Sequence, residues 1–464
     1  MRVRSVGGLA ALGAAFSMSG CLVGPDYLRP SAPVPAAYKE IKGWKVAQPS
    51  DELDKGAWWS VYHDAKLDEL EKQVVITNQT IKEAEAAYRE AQAIVLEARS
   101  QLFPTLTATP SVTRSNGTHT LFTIQGNASW ELDVWGKIRR TIESDVAGAQ
   151  ASAADLANAT LSAQGSLATD YFQLREADSL QDLLNDTVEQ YKRSLTITQN
   201  QYTAGTAARS DVITAQTQLL STQAQAINVG VTRAQFEHAI AVLVGKPPAE
   251  LSITHGKLNR SIPDLPIGYP SSLLERRPDI AAAERAMQQE NALIGVAVAA
   301  YYPDLTLSAV LGYETFPFAH VPVSNPIWSV GASAVQTIFN GGLTDAQVAA
   351  ARATYDQSVA TYRQTVLSAF QQVEDALSSL RILGRQATVE DEAVRAAEQA
   401  VTIALNEYKA GTQAYTTVVT AQTIALSDEE TALSVREALF AATVSLIEAL
   451  GGGWSTSDLP PSTY

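Results

Sequence analysis

The spacing of hydrophobic residues divides most of the chain into long helical runs and short strand-like runs. Helical periodicity covers residues 65–101, 137–202, 271–300 and 343–408, and each long run is followed by a further helix that ends near residue 244 or 450. At about 1.5 Å per residue, each long run forms a helix roughly 100 Å long, which a globular domain cannot accommodate. We therefore expect the helices to lie side by side in a coiled-coil-like rod.

A seam of apolar and small residues supports this rod. In the first half of the chain, the seam residues are spaced alternately by four and three positions, as a coiled coil requires. They are Leu184, Val188, Tyr191, Leu195, Thr198 and Tyr202. The spacing recurs later at Val394, Ala397, Val401, Ala404 and Tyr408. A long helical bundle and nothing more would explain this part of the sequence alone.

Residues 121–134 alternate between apolar and polar positions. A period of two over this length indicates a β-strand with one apolar face. Residues 105–113 are its predicted hairpin partner, with a turn at residues 115–117. The sequence therefore contains a β-hairpin between two helical runs.

The second half contains a matching pair of strand-like runs. Residues 305–313 and 328–334 alternate in the same way, although Val310 interrupts the polar set. Proline, asparagine and histidine cluster between Glu314 and Pro326, which predicts a longer loop there. Tilted strands of about 10 residues are long enough to cross a bilayer.

Two observations favour membrane strands over the alternative, a soluble sheet packed on the helices. The charges of Glu131 and Asp133 lie only on the polar face. Aromatic residues lie near the predicted strand ends, as an interfacial girdle would. They are Trp130, Trp135, Phe316, Phe318 and Trp328. Because the smallest membrane barrels need about eight strands, four strands per chain predict a barrel shared between copies.

The chain repeats its own sequence. Residues 200–206 (NQYTAGT) return as residues 406–412 (NEYKAGT). Duplication explains this correspondence. Residues 65–244 and 271–450 are therefore predicted to be two repeats of helix, β-hairpin, long helix and helix. The segments around them are an extended or equatorial N-terminal segment (21–64), an equatorial linker (245–270) and a C-terminal tail (451–464).

The N-terminus has the pattern of a bacterial export signal. Arg2 and Arg4 precede a small, apolar stretch that ends just before Cys21. Small residues before a cysteine resemble a lipoprotein signal box. We therefore predict a signal peptide over residues 1–20 and a covalent N-acyl diglyceride with palmitate on Cys21. The alternative is an ordinary signal followed by a chance cysteine.

Composition and charge exclude several classes of function. The formal net charge of -15 argues against a nucleic-acid partner, and the single cysteine excludes a disulfide framework or a cysteine-based zinc site. The five histidines are scattered without ligand spacing. Motifs for a nucleophilic serine, a phosphate loop or a metalloprotease are missing from the sequence. We therefore expect no enzyme, no metal site and no cofactor other than the lipid.

Four stretches carry a specific combination of sequences. They are residues 129–137 (SWELDVWGK), 274–280 (LERRPDI), 338–342 (IFNGG) and 449–454 (ALGGGW). Together they resemble the TolC/OprM-type outer-membrane efflux factor family, in its lipoprotein (NodT-type) branch, over nearly the whole chain. The resemblance implies a mixed, mainly α fold. Three chains would form an α-helical periplasmic barrel and a shared transmembrane β-barrel of 12 strands, four from each chain.

The function implied by the resemblance is a passive duct in the outer membrane of a Gram-negative bacterium. An inner-membrane pump, of the RND type, would load the homotrimer through a periplasmic adaptor (membrane fusion) protein. The cargo would be drugs, organic compounds or metal ions, so the duct would contribute to antibiotic resistance. The alternatives are a duct for type I protein secretion and a structural envelope lipoprotein that does not conduct.

The resemblance also places a periplasmic tip and gate at the two repeated turns, which contain Gly205 and Gly411 and follow Tyr202 and Tyr408. In relatives a tyrosine and an aspartate latch the tip, and Tyr408 and Asp211 stand at these places. Gln413 replaces an arginine of the latch, and Thr417 and Thr420 replace acidic residues of the constriction. The alternative for Asp211 is a helix cap worth about 1 kcal/mol.

Overall fold

The computed structural model describes residues 22–40, 57–114, 120–259, 261–263, 273–318 and 321–461. The first repeat contains α1 (Ala65–Thr77), α2 (Gln79–Ser100), β1 (Thr105–Arg114), β2 (Thr120–Leu132), α3 (Lys137–Thr203) and α4 (Arg209–Leu243). The second contains α5 (Leu273–Arg276), α6 (Pro278–Ala299), β3 (Asp304–Phe318), β4 (Val321–Val335), α7 (Leu343–Lys409) and α8 (Tyr415–Ala449). Within these ranges, every helix is too short or too polar to span a bilayer.

The long helices form as predicted. α3 and α7 have 67 residues each, so each is roughly 100 Å long. Most of the first predicted seam is buried, with Leu184 at 1% and Tyr191 at 3% exposure. Tyr202 is an exception because it lies in the last turn of α3, beside the exposed helix end, and is 47% exposed.

Two predicted helical runs are interrupted. The run over residues 65–101 breaks at Asn78, whose side-chain oxygen accepts the N–H groups of Thr80 and Ile81 at 2.9 and 3.1 Å. These bonds cap α2 and end the possibility of one continuous helix. The run over residues 271–300 breaks at Arg277, because Pro278 disfavours helical backbone in the residue before it.

The shorter helices stack end to end beside the long ones. Where α4 meets α2, the Asn78 amide donates to the carbonyl of Leu243 at 2.8 Å. Where α8 meets α6, Arg277 donates to the carbonyl of Ala449 at 3.0 Å. Side by side, the order is α2, α3, α6, α7 near the strands and α4, α3, α8, α7 near the turns. The rod is therefore a layer four helices wide, with α7 at one edge and the α2–α4 column at the other.

The strands form one antiparallel sheet in the order β1-β2-β3-β4. The register places Gly126 beside Leu311 and Leu311 beside Trp328, so apolar residues of successive strands share one face. Thr109 pairs with Gln125 on the polar face. All ten residues of β1 are exposed, so helices cover neither face there. The predicted alternation is confirmed, and the alternative of a sheet packed on the helices is wrong.

The second hairpin differs from its prediction. The segment from Glu314 to Pro326, predicted as a longer loop, is mostly strand, because β3 continues to residue 318 and β4 begins at residue 321. Within one chain β4 lies at the sheet edge, where its prolines interrupt no hydrogen bonds to a further strand. The extra residues of the second half therefore lengthen the strands.

The main hydrophobic core joins both repeats to the N-terminal segment. Tyr62 packs edge-on against Phe172 at 4.8 Å, and Phe172 stacks on Phe440 at 4.6 Å. Trp58 is 1% exposed and donates its indole N–H to Gln164 at 3.1 Å. Residues 58–62 are thus part of the core.

Two of the recognised sequence stretches, LERRPDI and ALGGGW, pack against each other. Gly451 has a φ of +94°, and a Cβ there would lie 2.0 Å from the carbonyl oxygen of Arg276. Together with the bond from Arg277 to Ala449, this contact joins the end of α8 to the start of α6. Glycine at residue 451 is therefore required by both backbone conformation and space.

Replacing Gly451 with alanine should destabilise the protein by about 2 kcal/mol or more, because strained backbone and a clash add together. Gly230, inside α4, is the matched control because a Cβ there meets nothing within 4 Å. Gly230→Ala should stabilise the helix by up to about 1 kcal/mol. Thermal unfolding of the purified protein in detergent measures both variants, and changes of equal sign and size would contradict this packing.

Candidate functional site

Two equivalent turns end the rod on the side away from the sheet. Gly205 and Gly411 adopt φ values of +77° and +75°, the left-handed conformation that commonly ends helices. In the first turn, the N–H of Thr206 donates to the carbonyl of Gln201 at 2.9 Å, and the second turn repeats this bond. The duplicated sequence therefore encodes the same helix stop twice.

A small aromatic cluster holds the two turns together. The rings of Tyr408 and Tyr415 are 5.1 Å apart, and they pack with the buried side chains of Ala215 and Val418. Gln201 donates its side-chain amide to the carbonyl of Tyr408 at 3.3 Å. The two helical hairpins consequently meet in one tip.

The predicted latch residues, Tyr408 and Asp211, lie close enough to interact electrostatically. Burial raises the pKa of Tyr408 and the Asp211 carboxylate adds to this shift, whereas the neighbouring Thr198 hydroxyl opposes it. The Tyr408 hydroxyl is nevertheless buried without a hydrogen-bond partner among the described residues. Among the same residues, no side chain caps the N-terminus of α4, so Asp211 does not act as its cap. The latch stays a prediction for the assembled protein.

The other predicted gate residues are exposed at the same tip. Thr417 donates its hydroxyl to the Gln413 side chain at 3.4 Å, and Thr420 donates to the carbonyl of Thr416 at 2.9 Å. Tyr202 is also exposed there. The structure thus brings every predicted gate residue to one end of the rod, where Gln413, Thr417 and Thr420 contribute hydroxyl and amide groups and no charge.

The sheet at the opposite end has two open edges. β1 and β4 are the outer strands, and each has a row of backbone N–H and C=O groups unpaired within the chain. Large apolar side chains project from one face, with exposures of 76% for Leu106, 70% for Leu311 and 77% for Val330. An exposed apolar face between two open sheet edges favours an apolar environment for the face and pairing with further strands at the edges.

The predicted aromatic girdle is present at the helix-side end of the sheet only in part. Trp130 donates to the carbonyl of Leu102 at 3.0 Å, and Trp135 stacks on Tyr302 at 4.7 Å. Trp328 lies in the middle of β4 and not near its end, because β4 begins earlier than predicted. The side chains of Phe316 and Phe318, and the turn at residues 115–117, lie outside the described residues.

The segment that follows Cys21 is anchored where β2 becomes α3. Val23 donates its N–H to the carbonyl of Trp135 at 3.1 Å. Gly24 approaches Gly295 so closely that a Cβ on Gly24 would lie 2.4 Å from the Cα of Gly295. Cys21 itself lies outside the described residues, but the chain two residues later is fixed beside the sheet.

Arg140 holds this segment in place. Its guanidinium is 1% exposed and donates to the carbonyls of Val23 and Gly24 at 3.1 and 3.4 Å. It also pairs with Asp26 at 2.9 Å and Glu143 at 2.7 Å. Such a buried cation must be paired on all sides, so residues 23–26 are part of the folded junction.

Asp178 is an ionic centre that the sequence did not reveal. Its fully buried carboxylate accepts bonds from Arg175 at 3.0 Å, Arg233 at 2.7 Å and the N–H of Gly256 at 3.0 Å. Arg233 also donates to the carbonyl of Ile253 at 2.6 Å. These bonds tie the linker between the repeats to α3 and α4. The spacing of Arg175 and Asp178 alone is typical of a solvated helix face, and the linker partners carry no motif.

The described ranges contain no group of three or more His, Cys, Asp or Glu residues that could hold a metal ion. The tip is built from hydroxyl, amide and aromatic groups, and the sheet from an apolar and a polar face.

Comparison with known proteins agrees with this geometry. The sequence matches the outer membrane efflux protein family over residues 70–246 and 269–452. It is 28% identical to the pyoverdine export outer membrane protein OpmQ of Pseudomonas aeruginosa, covering 97% of this chain and 98% of that protein. It is 26% identical to the cation efflux system protein CusC of Escherichia coli, covering 95% and 97%.

The solved structure of the outer-membrane channel OprN superimposes with a TM-score of 0.86 at 29% identity, covering 94% of this chain and all of that one. The family match includes both repeats, the two long helices and the four strands. On these grounds, the chain belongs to the outer membrane efflux protein family.

Proposed function

We propose that the chain forms the outer-membrane duct of a tripartite efflux system, a passive trimer that receives small molecules from an inner-membrane pump and a periplasmic adaptor. One observation carries the proposal. A sheet with an exposed apolar face continues directly into helices roughly 100 Å long. The sheet suits a bilayer and the polar helix surfaces suit an aqueous compartment, so a single chain would serve both.

Closure of the sheet supports the trimer. If β4 of one copy pairs with β1 of the next, the open backbone groups of both edges are satisfied. Three copies give a barrel of 12 strands, which exceeds the roughly eight strands whose interior is filled by side chains. With the apolar face toward lipid, the face that carries Thr109 and Gln125 lines the lumen.

The helical edges support the same closure. Exposed apolar residues recur every seven positions on each edge helix near the tip, as in a coiled-coil seam. On α4 they are Ile213, Leu220 and Ile227, and on α7 they are Ile382, Val389, Ala396 and Ile403. Because α4 and α7 lie at opposite edges of one layer, the two stripes can only meet between neighbouring copies.

The tip would close this duct with little charge selectivity. A ring of three carboxylates favours cations and resists closure by repulsion, whereas a ring of threonines does neither. Thr417 and Thr420 occupy these ring positions here. The Tyr408 hydroxyl, buried without a partner in the single chain, would bond to Asp211 in the assembled tip.

The position of the N-terminal segment, as well as the signal, supports a lipid anchor. Val23 and Gly24 are fixed beside the end of the sheet. An acylated Cys21 would therefore stand at the level where the strands enter the membrane, and its chains could insert next to the barrel. Lipidation of this kind adds about 0.8 kcal/mol of membrane affinity per buried CH₂.

The cargo is set by the pump and adaptor, which we propose to be of the RND type. OpmQ is named for pyoverdine export and CusC for cation efflux. Because relatives of similar identity are named for such different cargo, the duct itself does not choose. Small cargo fits these names better than the type I protein-secretion alternative does.

The first prediction concerns assembly. Ile227 and Val389 lie roughly 20 residues, or about 30 Å, from their turns. The double variant Ile227→Cys/Val389→Cys should form a covalent trimer with a short bis-maleimide, whereas each single variant should not. Asn228→Cys/Val389→Cys is the control, because residue 228 points about 100° away around α4. Trapping of the control and not of the first pair would contradict this interface.

The second prediction concerns conduction. Purified protein in planar bilayers should give pore currents with weak ion selectivity, because threonines replace acids at the tip. Thr420→Asp should increase cation selectivity several-fold, and Thr420→Ser should leave it unchanged. Two results would overturn the proposal: a lack of pore currents, or strong cation selectivity that vanishes in Thr420→Ala.

The third prediction concerns the anchor. Cells supplied with labelled palmitate should incorporate label into the wild-type protein but not into Cys21→Ser, because acylation requires the thiol. Ser17→Ala keeps the cysteine and should remain labelled. Gel autoradiography of outer-membrane fractions measures this incorporation, and label on Cys21→Ser would show that the predicted site is wrong.

A further inference from the structure

Glu71 carries a buried carboxyl group that the proposed duct does not use. It lies on α1 with 0% exposure, and neither carboxyl oxygen has a hydrogen-bond partner among the described residues. A buried, unpartnered carboxylate is strongly unfavourable, so such a group keeps its proton. Glu71 is therefore a neutral acid at ordinary pH.

The charges around Glu71 are negative. Burial raises its pKa to about 9, and Glu448 on α8 and Asp68 on α1 add to the shift. Burial also raises the pKa of Glu448, to about 7, although Arg277 opposes this. The hydroxyl of Tyr62, on the segment before α1, is hydrogen-bonded to the hydroxyl of Thr443 at 2.7 Å and not to Glu71.

α3 provides the space in which Glu448 reaches this site. A Cβ on Gly165 would lie 1.9 Å from Oε1 of Glu448, so the carboxyl group rests directly on the helix backbone. Next to it, Arg277 donates to the carbonyl of Ala449 at 3.0 Å. The two acids consequently lie where α1, α3 and α8 meet, close to the start of the second repeat.

We propose that Glu71 and Glu448 form a proton-dependent clamp that keeps α1 packed in the core it shares with α3 and α8. Below neutral pH both acids are protonated, so α1 packs without burying a charge. As the pH rises, Glu448 loses its proton to water first and Glu71 second. The Glu448 carboxylate then repels the buried Glu71 carboxylate, and the charges acting on Glu71 are all negative. This repulsion and the desolvation of Glu71 release α1 from the core.

The sign of the effect is fixed by linkage. In the unfolded chain, both acids ionise near their ordinary pKa of 4.5. The folded chain keeps its protons to higher pH, so it binds more protons than the unfolded chain over this interval. The contribution of the pair to stability is therefore greatest at acid pH and is lost progressively as the pH rises from about 4.5 to about 9.

The test compares thermal midpoints of the full-length protein in detergent at about pH 5 and about pH 8.5. Glu71→Gln keeps the volume and stays neutral at both pH values. Its midpoint should gain about 5 °C or more relative to wild type between the two conditions. Glu448→Gln should give a smaller change of the same sign. Glu83→Gln, an exposed acid on α2, should track the wild type.

Hydrogen exchange of the α1 amides distinguishes a local release of α1 from a change in overall stability. After correction for the intrinsic rate, hydrogen exchange of α1 amides should accelerate at high pH in wild type and not in Glu71→Gln. The proposal is overturned if wild type and Glu71→Gln show the same pH dependence in both measurements. Neither readout requires conduction, so this result is independent of the duct.

Discussion

Unpaired backbone at the edges of the sheet is the constraint on which the rest of the structure depends. In hydrocarbon, each unsatisfied N–H or C=O group costs several kcal/mol, so only a closed set of strands is stable there. In the proposed trimer, the open edges β1 and β4 of one chain would be closed by copies of the same chain. Because that joining would be head to tail, the same two edges would have to match along the whole molecule, first through strands and then through helices.

The duplication allows the strand edges and the helix edges to match, because the helices near the sheet lie in the same order as the strands they continue. β2 leads into α3 through Gly136, and β4 leads into α7 through Gly342, both with left-handed backbone. At the first junction, Asp133 accepts the N–H groups of Ile138 and Arg139 at 2.8 and 3.0 Å and so caps the long helix. The helix order near the sheet therefore reproduces the strand order, and an interface begun in the membrane can continue down the rod.

Local periodicity predicted which segments form helices and strands. The helix breaks and strand lengths that it did not predict involve contacts between residues far apart in the sequence. The lengths of α3 and α7 and the two-faced strands follow from spacing alone. The break at Asn78 begins with a local cap and is fixed by a bond to the carbonyl of Leu243, far away in sequence, and the length of β4 depends on its pairing with β3. At the site, the turns were predictable from the repeat, and the threonines from the family resemblance. The Asp178 network was not, because its linker partners are backbone groups that any residue would supply.

The hydrogen bonds at the tip determine what can hold it closed. A threonine hydroxyl has one proton to donate, and Thr420 gives it to the carbonyl of Thr416 on its own helix. These side chains can then only accept bonds from a neighbour. In the proposed gate, packing of Tyr408, Tyr415 and Val418 in the buried cluster between the turns would act together with the Tyr408–Asp211 bond. Apolar packing is not directional, so the Tyr408–Asp211 bond would be the directional contact that opening has to break.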